Sequence, residues 1–154
     1  MIVVSDTSPL NYLILIGQES LLPKLFGNVV IPQVVFDELR GKGAPSLIIE
    51  WSRNLPAWIQ IKQTHLVPIP SLDILDRGER EAILLVQELS ADLLVVDDKQ
   101  ARMAAADLGI EITGTVGIID KAARMGLIDL RTVIDKLQTT NFFISADLIK
   151  KLME

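Results

Sequence analysis

The sequence contains no cysteine, which excludes disulfides, thiolate nucleophiles, cysteine-ligated zinc and iron–sulfur clusters together. It contains one histidine, His65. Neither a histidine pair for acid–base chemistry nor a multi-histidine metal site can be built within one chain, so a bound metal must rely mainly on oxygen. Aromatic residues make up 5% of the chain, and Trp51 and Trp58 therefore read as core or interface residues rather than as base-stacking platforms. No apolar run approaches the ~20 residues that span a bilayer, and Asp6 comes too early for a signal peptide with a basic start. The expectation is a cytoplasmic protein with no membrane partner. An excess of positive charge is missing too: 15 lysines and arginines face 20 acids, for a net charge of −5. That balance argues against retention on nucleic acid by bulk charge. It leaves room for a nuclease, because acids that bind metal also lower the net charge. Glycine-rich dinucleotide and P-loop signatures are absent, as is a nucleophile elbow. A Ser-His-Asp triad would have to use His65, which lies in a polar stretch that reads as surface.

What is present is a regular alternation. The 154 residues, 49% apolar and 23% charged, suit one domain over residues 1–154 with one sizeable core. Residues 2–4 read as a buried strand ending at Asp6, with Ser8 as N-cap and Pro9 as first residue of the next helix. Residues 29–31 form a second strand, and Pro32 opens a helix that carries Glu38 and Leu39. Residues 58–61 are a third strand, and Gly78 precedes a strong helix over 79–89. Residues 92–96 are the clearest strand, ending in Asp97 and Asp98 ahead of an alanine-rich helix over 99–108. Residues 110–113 give a fifth strand, and helices fill the chain from about residue 117. This order predicts a three-layer α/β/α sandwich around a central, mostly parallel five-stranded sheet.

Open parallel sheets bind ligands beyond the carboxyl ends of their strands. Asp6 follows the first strand directly, and Asp97 and Asp98 follow the fourth. Helix spacing adds three more acids. Glu38 shares a face with Val34 and Val35, Glu79 lies on the stripe of Ile83 and Val86, and Glu81 precedes Leu84 and Leu85 in the same way. A carboxylate at the edge of a buried stripe is costly unless something pairs it. A first-turn glutamate also favours the helix dipole, a structural role that suits Glu79 and Glu81 and does not suit Glu38. Separated acids converging without histidine or cysteine point to a hard divalent cation such as magnesium, which prefers one or two carboxylates, waters and phosphate oxygens. That chemistry suits phosphodiester hydrolysis. Lys99 and Arg102, just after the acidic pair, read either as contacts to a substrate phosphate or as two solvated charges on a helix surface.

Ordered blocks along the chain carry a resemblance. They are Val4-Ser5-Asp6-Thr7-Ser8-Pro9-Leu10, Ile31-Pro32 with Asp37-Glu38-Leu39, Gly78-Glu79-Arg80-Glu81-Ala82-Ile83, and Val96-Asp97-Asp98-Lys99-Gln100-Ala101-Arg102. Gly114-Thr115 before a helix, then residues 123–126, continue the series. In these blocks the sequence resembles the PIN-domain ribonucleases that include VapC-type toxins. The resemblance implies a magnesium- or manganese-dependent endoribonuclease acting on RNA. It implies that Asp6, Glu38 and Glu79 or Glu81 are metal-site acids, with Asp97 or Asp98 completing the set. Ser8, Thr115 and Thr7 would then stand behind the metal or phosphate. It further implies homodimers and an antitoxin partner whose peptide covers the active-site groove. Apolar positions at Leu47, Ile48, Trp51, Phe142, Phe143 and Leu148 offer surface for such partners.

Two other doubly wound readings fail on residues. A phosphoacceptor receiver domain wants an aspartate after the third strand and a lysine after the fifth, where this chain has Lys62-Gln63 and Gly114-Thr115. A phosphotransferase with Asp-x-Asp after the first strand is contradicted by Asp6-Thr7-Ser8. The remaining alternative is a catalytically silent PIN-like module that binds RNA or protein.

Overall fold

The inner strands carry apolar residues on both faces, so the sheet must be covered twice. The computed structural model describes residues 1–154 and shows five parallel strands, β1 (Val3–Ser5), β2 (Val29–Pro32), β3 (Ile59–Lys62), β4 (Leu93–Val95) and β5 (Ile112–Thr113), in the order β3-β2-β1-β4-β5. Val3, Val29, Ile31 and Val95 point into one core. That core is shared with α1 (Thr7–Leu15), α2 (Leu21–Phe26), α3 (Gln33–Leu39), α4 (Ser46–Ser52), α7 (Thr115–Arg124) and α8 (Leu130–Gln138). Val4, Val30, Leu94 and Val96 point the other way, against α5 (Arg77–Leu89) and α6 (Lys99–Asp107). The chain ends in α9 (Ala146–Met153), whose side chains are nowhere fully buried. This is the expected α/β/α sandwich. No helix is long and apolar enough to cross a membrane.

The strand order fixes where a site can form. From β1 the chain moves outward through β2 to β3, then returns to the other side of β1 for β4 and β5. The reversal leaves a crevice at the carboxyl ends of β1 and β4, the usual ligand position in such sheets. Ser5 is in register with Val95, and the Asp6 N–H donates to the Val95 carbonyl at 2.9 Å. Asp6 and Asp97 therefore leave neighbouring strands at the same edge.

Several local expectations change. Helix α1 begins at Thr7 with Asp6 in the N-cap position, so Ser8 lies inside the first turn instead of capping it. Gly78 also lies inside its helix, because Asp76 caps α5 and starts it two residues earlier than expected. Trp51 and Trp58 pack near one another, 6.2 Å between ring centres, on the edge of the larger core. Ile48 is fully buried and offers no partner surface, whereas Leu47, Phe143 and Leu148 remain exposed.

Candidate active site

The crevice opens into a cavity of about 980 Å³ whose walls carry Asp6, Glu38, Asp76, Glu79, Asp97 and Asp98. Five of the six acids singled out from sequence meet there. Asp6 is only 5% exposed, yet its side chain caps none of the N–H groups further into α1. Burial, followed by the charges of Asp76, Glu79 and Glu38, pushes its pKa up to about 7, against the pull of the Thr7 N–H. Glu79 is 8% exposed and likewise pushed up to about 7, first by burial and then by Asp76, Asp98 and Glu38.

Glu79 has the structural role a first-turn glutamate was expected to have. Its Oε1 accepts from the Asp76 N–H at 3.1 Å, while Asp76 Oδ1 accepts from the Glu79 N–H at 2.8 Å, a reciprocal capping box. The same carboxylate faces the cavity, so the cap and the site share an atom set. Glu81, two residues on, is turned about 200° around the helix. It lines a separate cleft with Asp37 and Arg77 and does not join the site.

Glu38 reaches the cavity differently from the inward face expected of it. The seven-residue α3 buries Val35 and Leu39, one turn apart, and leaves Glu38 on the flank beside α1. There its Oε2 accepts a hydrogen bond from the Thr7 hydroxyl at 2.5 Å. Burial raises the Glu38 pKa, Thr7 lowers it, Asp76 raises it and Arg77 lowers it, with a net upward shift. Gly78 makes the approach possible: a Cβ there would stand 2.6 Å from Glu38 Oε1.

Asp97 is the most supported acid. The Thr115 N–H donates to Oδ1 at 2.7 Å, the Thr115 hydroxyl donates to Oδ2 at 2.7 Å, and the Ser8 hydroxyl reaches Oδ2 at 3.4 Å. Burial still raises its pKa, opposed by these donors and by Arg102. Thr115 is completely buried and stands behind Asp97. Gly114 again supplies room, since a Cβ would lie 2.7 Å from Asp97 Oδ1 and 3.1 Å from the Val96 carbonyl. Asp98 caps α6 by accepting from the Ala101 N–H at 3.1 Å. Lys99 lines the acidic cavity, and Arg102 lines the adjoining one on the far side of Asp97.

Sequence reasoning missed Asp76, Asn11, Tyr12 and Asn141 on these walls. The Asp76-x-x-Glu79 spacing was a usable capping signal. Asn11 lies one helical turn beyond Thr7 and Ser8, on the face of α1 that looks into the cavity. Asn141 arrives from the far end of the chain, where no local pattern announces it.

The arrangement can be tested for a divalent cation. All donors are oxygens, the choice of a hard ion. The three ion pairs of the molecule, Glu50–Arg53, Asp120–Arg124 and Arg131–Asp135, lie elsewhere. None of the site acids is in an ion pair, although Arg77 and Arg102 act on Glu38 and Asp97 from a distance, and Asn11 leaves a buried Oδ1 without a partner. No three carboxylates are set as a closed cage. The residues therefore fit an ion that uses one or two carboxylates and keeps its waters, as magnesium and manganese do, and not an all-protein cage.

The comparisons agree with this fold. A PilT N-terminus domain protein, SSO1118, from the hyperthermophilic archaeon Sulfolobus solfataricus P2 is similar in fold, with a TM-score of 0.53 at 17% identity over 94% of this chain and 100% of that one. No curated protein matches. The family model DUF3368, a PIN domain, matches residues 2–154. With its five-stranded parallel sheet and acids gathered at the switch point, the chain belongs to the PIN-domain family.

Proposed function

We propose that this protein is a divalent-metal-dependent endoribonuclease that hydrolyses RNA phosphodiester bonds, in one domain over residues 1–154. PIN domains are generally nucleases and typically use divalent metals. The observation that carries the reading is the buried, unneutralised Asp6 facing Glu38, Asp76 and Glu79 in an open cavity. Desolvated acids held together without an ion pair among them are a poor structural device and a good cation receptor.

One or two of Asp6, Glu79 and Asp97 would ligate the ion directly and the others would act through its waters, with Asp98 at the rim. A bound magnesium or manganese ion supplies an acidified water and neutralises charge on the scissile phosphate. Thr115 fixes both oxygens of Asp97, so that acid needs no reorientation when substrate arrives. Thr7 holds Oε2 of Glu38, which leaves Oε1 to accept the proton of an attacking water. Lys99 meets a substrate phosphate, and Ser8 supports Asp97 from α1. The same reading makes the chain the toxin half of a toxin–antitoxin pair, cytoplasmic and homodimeric, with an antitoxin segment over the groove.

The test is cleavage of single-stranded and structured RNA with manganese, with magnesium and with EDTA. Manganese- or magnesium-dependent internal cleavage, lost in an Asp6→Asn preparation purified identically, is the expected result. Equal cleavage by wild type and Asp6→Asn, or none by either, overturns the enzyme and favours the silent binding module.

A further inference from the structure

Phe143 is 84% exposed, the most exposed large apolar side chain in the molecule. It lines the acidic cavity, and it also lines the neighbouring cavity of about 300 Å³ that contains Arg102. The ring thus borders both cavities, one with Lys99 in its wall and the other with Arg102, and these two cations also share a third cleft beside Asp97. An apolar ring left in water is unfavourable unless something covers it.

The segment beneath that ring is firmly held. The Thr140 hydroxyl donates to the Leu137 carbonyl at 2.6 Å and accepts from the Phe142 N–H at 3.2 Å. Phe142 meets Tyr12 edge to face, 4.8 Å between ring centres, and the Tyr12 hydroxyl donates to Asn141 Oδ1 at 2.7 Å. Two neighbours of Phe143 are therefore pinned to α1 while Phe143 itself faces solvent.

We propose that Phe143 is the platform on which one unstacked nucleobase of a single-stranded RNA substrate lies beside the acidic cavity. The inference rests on the RNA-hydrolase reading above and narrows its substrate. A nucleic-acid strand presents a base and a phosphate at each step, which suits an exposed ring bordering cavities that carry Lys99 and Arg102. Stacking on an aromatic face is open to any base, whereas a base inside a duplex has no free face to offer. Recognition at this position is thus of an unstacked base, with little dependence on its identity.

The experiment is steady-state cleavage of a single-stranded oligoribonucleotide with manganese, by wild type and by Phe143→Ala, Phe143→Leu and Phe143→Trp. Loss of the ring should raise KM about tenfold to hundredfold, the effect of removing one stacked base, with little change in kcat. Phe143→Leu should be as poor as Phe143→Ala, and Phe143→Trp should match wild type. An abasic residue stepped along the substrate should cost wild type the same factor at one position and cost Phe143→Ala nothing further there. An unchanged KM in Phe143→Ala, or rescue by leucine as good as by tryptophan, overturns the inference while leaving the nuclease reading intact. So does a change in sedimentation of Phe143→Ala without a change in KM, the result for a protein-docking ring. A wild type inert on every RNA removes the nuclease reading, and this inference with it.

Discussion

The two sides of the acidic cavity treat buried charge in opposite ways. On the Asp97 side, Thr115 and Ser8 donate to the carboxylate and Arg102 adds positive charge behind it. On the Asp6 side, the Thr7 N–H is the main relief, and Asp76, Glu79 and Glu38 all push the pKa upward. The first acid has its position settled before anything binds. The second has its charge left unanswered. The difference separates two requirements that a cation site must meet, fixed geometry and net attraction, and assigns them to different residues of one edge.

The sharpest break in this contrast lies on the Asp6 side. Glu38→Gln keeps the shape and the Thr7 contact but removes the proton acceptor, and cleavage should fall at least about hundredfold. Asp37→Asn, whose side chain lies in the cleft with Glu81, should stay within about twofold of wild type. Assaying the neighbours side by side distinguishes a site effect from a change in overall acidity. Equal losses would erase the distinction.

On the Asp97 side, Thr115→Val removes the hydroxyl donor and keeps the N–H. Metal affinity or activity should drop about tenfold to hundredfold, as for other supports of a ligating acid, with about 1 kcal/mol lost in stability. Thr115→Ser should recover most of the activity. A valine variant with wild-type metal titration would show that Asp97 needs no such support.

The smallest expected effect concerns pH. Asp6 and Glu79 rise from ordinary values of 3.8 and 4.5 to about 7 in the folded protein. Between these limits the folded, metal-free state binds protons that the unfolded chain has released. Their contribution to stability is therefore fully present below about pH 4 and is lost as pH rises towards about 7. Urea unfolding should show a downward slope over that window, flattened in Asp6→Asn and offset by manganese at the upper end. A slope of the opposite sign, or one that Asp6→Asn leaves untouched, would place the titration elsewhere.

Asp6 and Asp97 were legible in the sequence because each follows a β-branched run directly, and a parallel sheet brings all such ends to one edge. The orientation of Glu38 was not, since seven helical residues are too few for periodicity to choose between a buried row and its flank. The choice between Glu79 and Glu81 turned on where α5 begins, which Asp76 decides. Asn141 and Phe142 join the wall through contacts with Tyr12 from far along the chain, and single-sequence patterns hold no trace of such pairings. Ile48, one of the apolar positions expected to offer partner surface, is instead buried in the larger core, because α4 packs one side against it.

Two of the site's essential atoms are hydrogens. At Gly78 and at Gly114 the position of a methyl group is taken up by the closest approach of Glu38 and Asp97. Anyone grafting these acids onto another parallel sheet would have to carry both bare α-carbons with them. A graft that copied only the charged side chains, onto helices and turns furnished with alanine, would hold every carboxylate of the original and aim two of them wrongly.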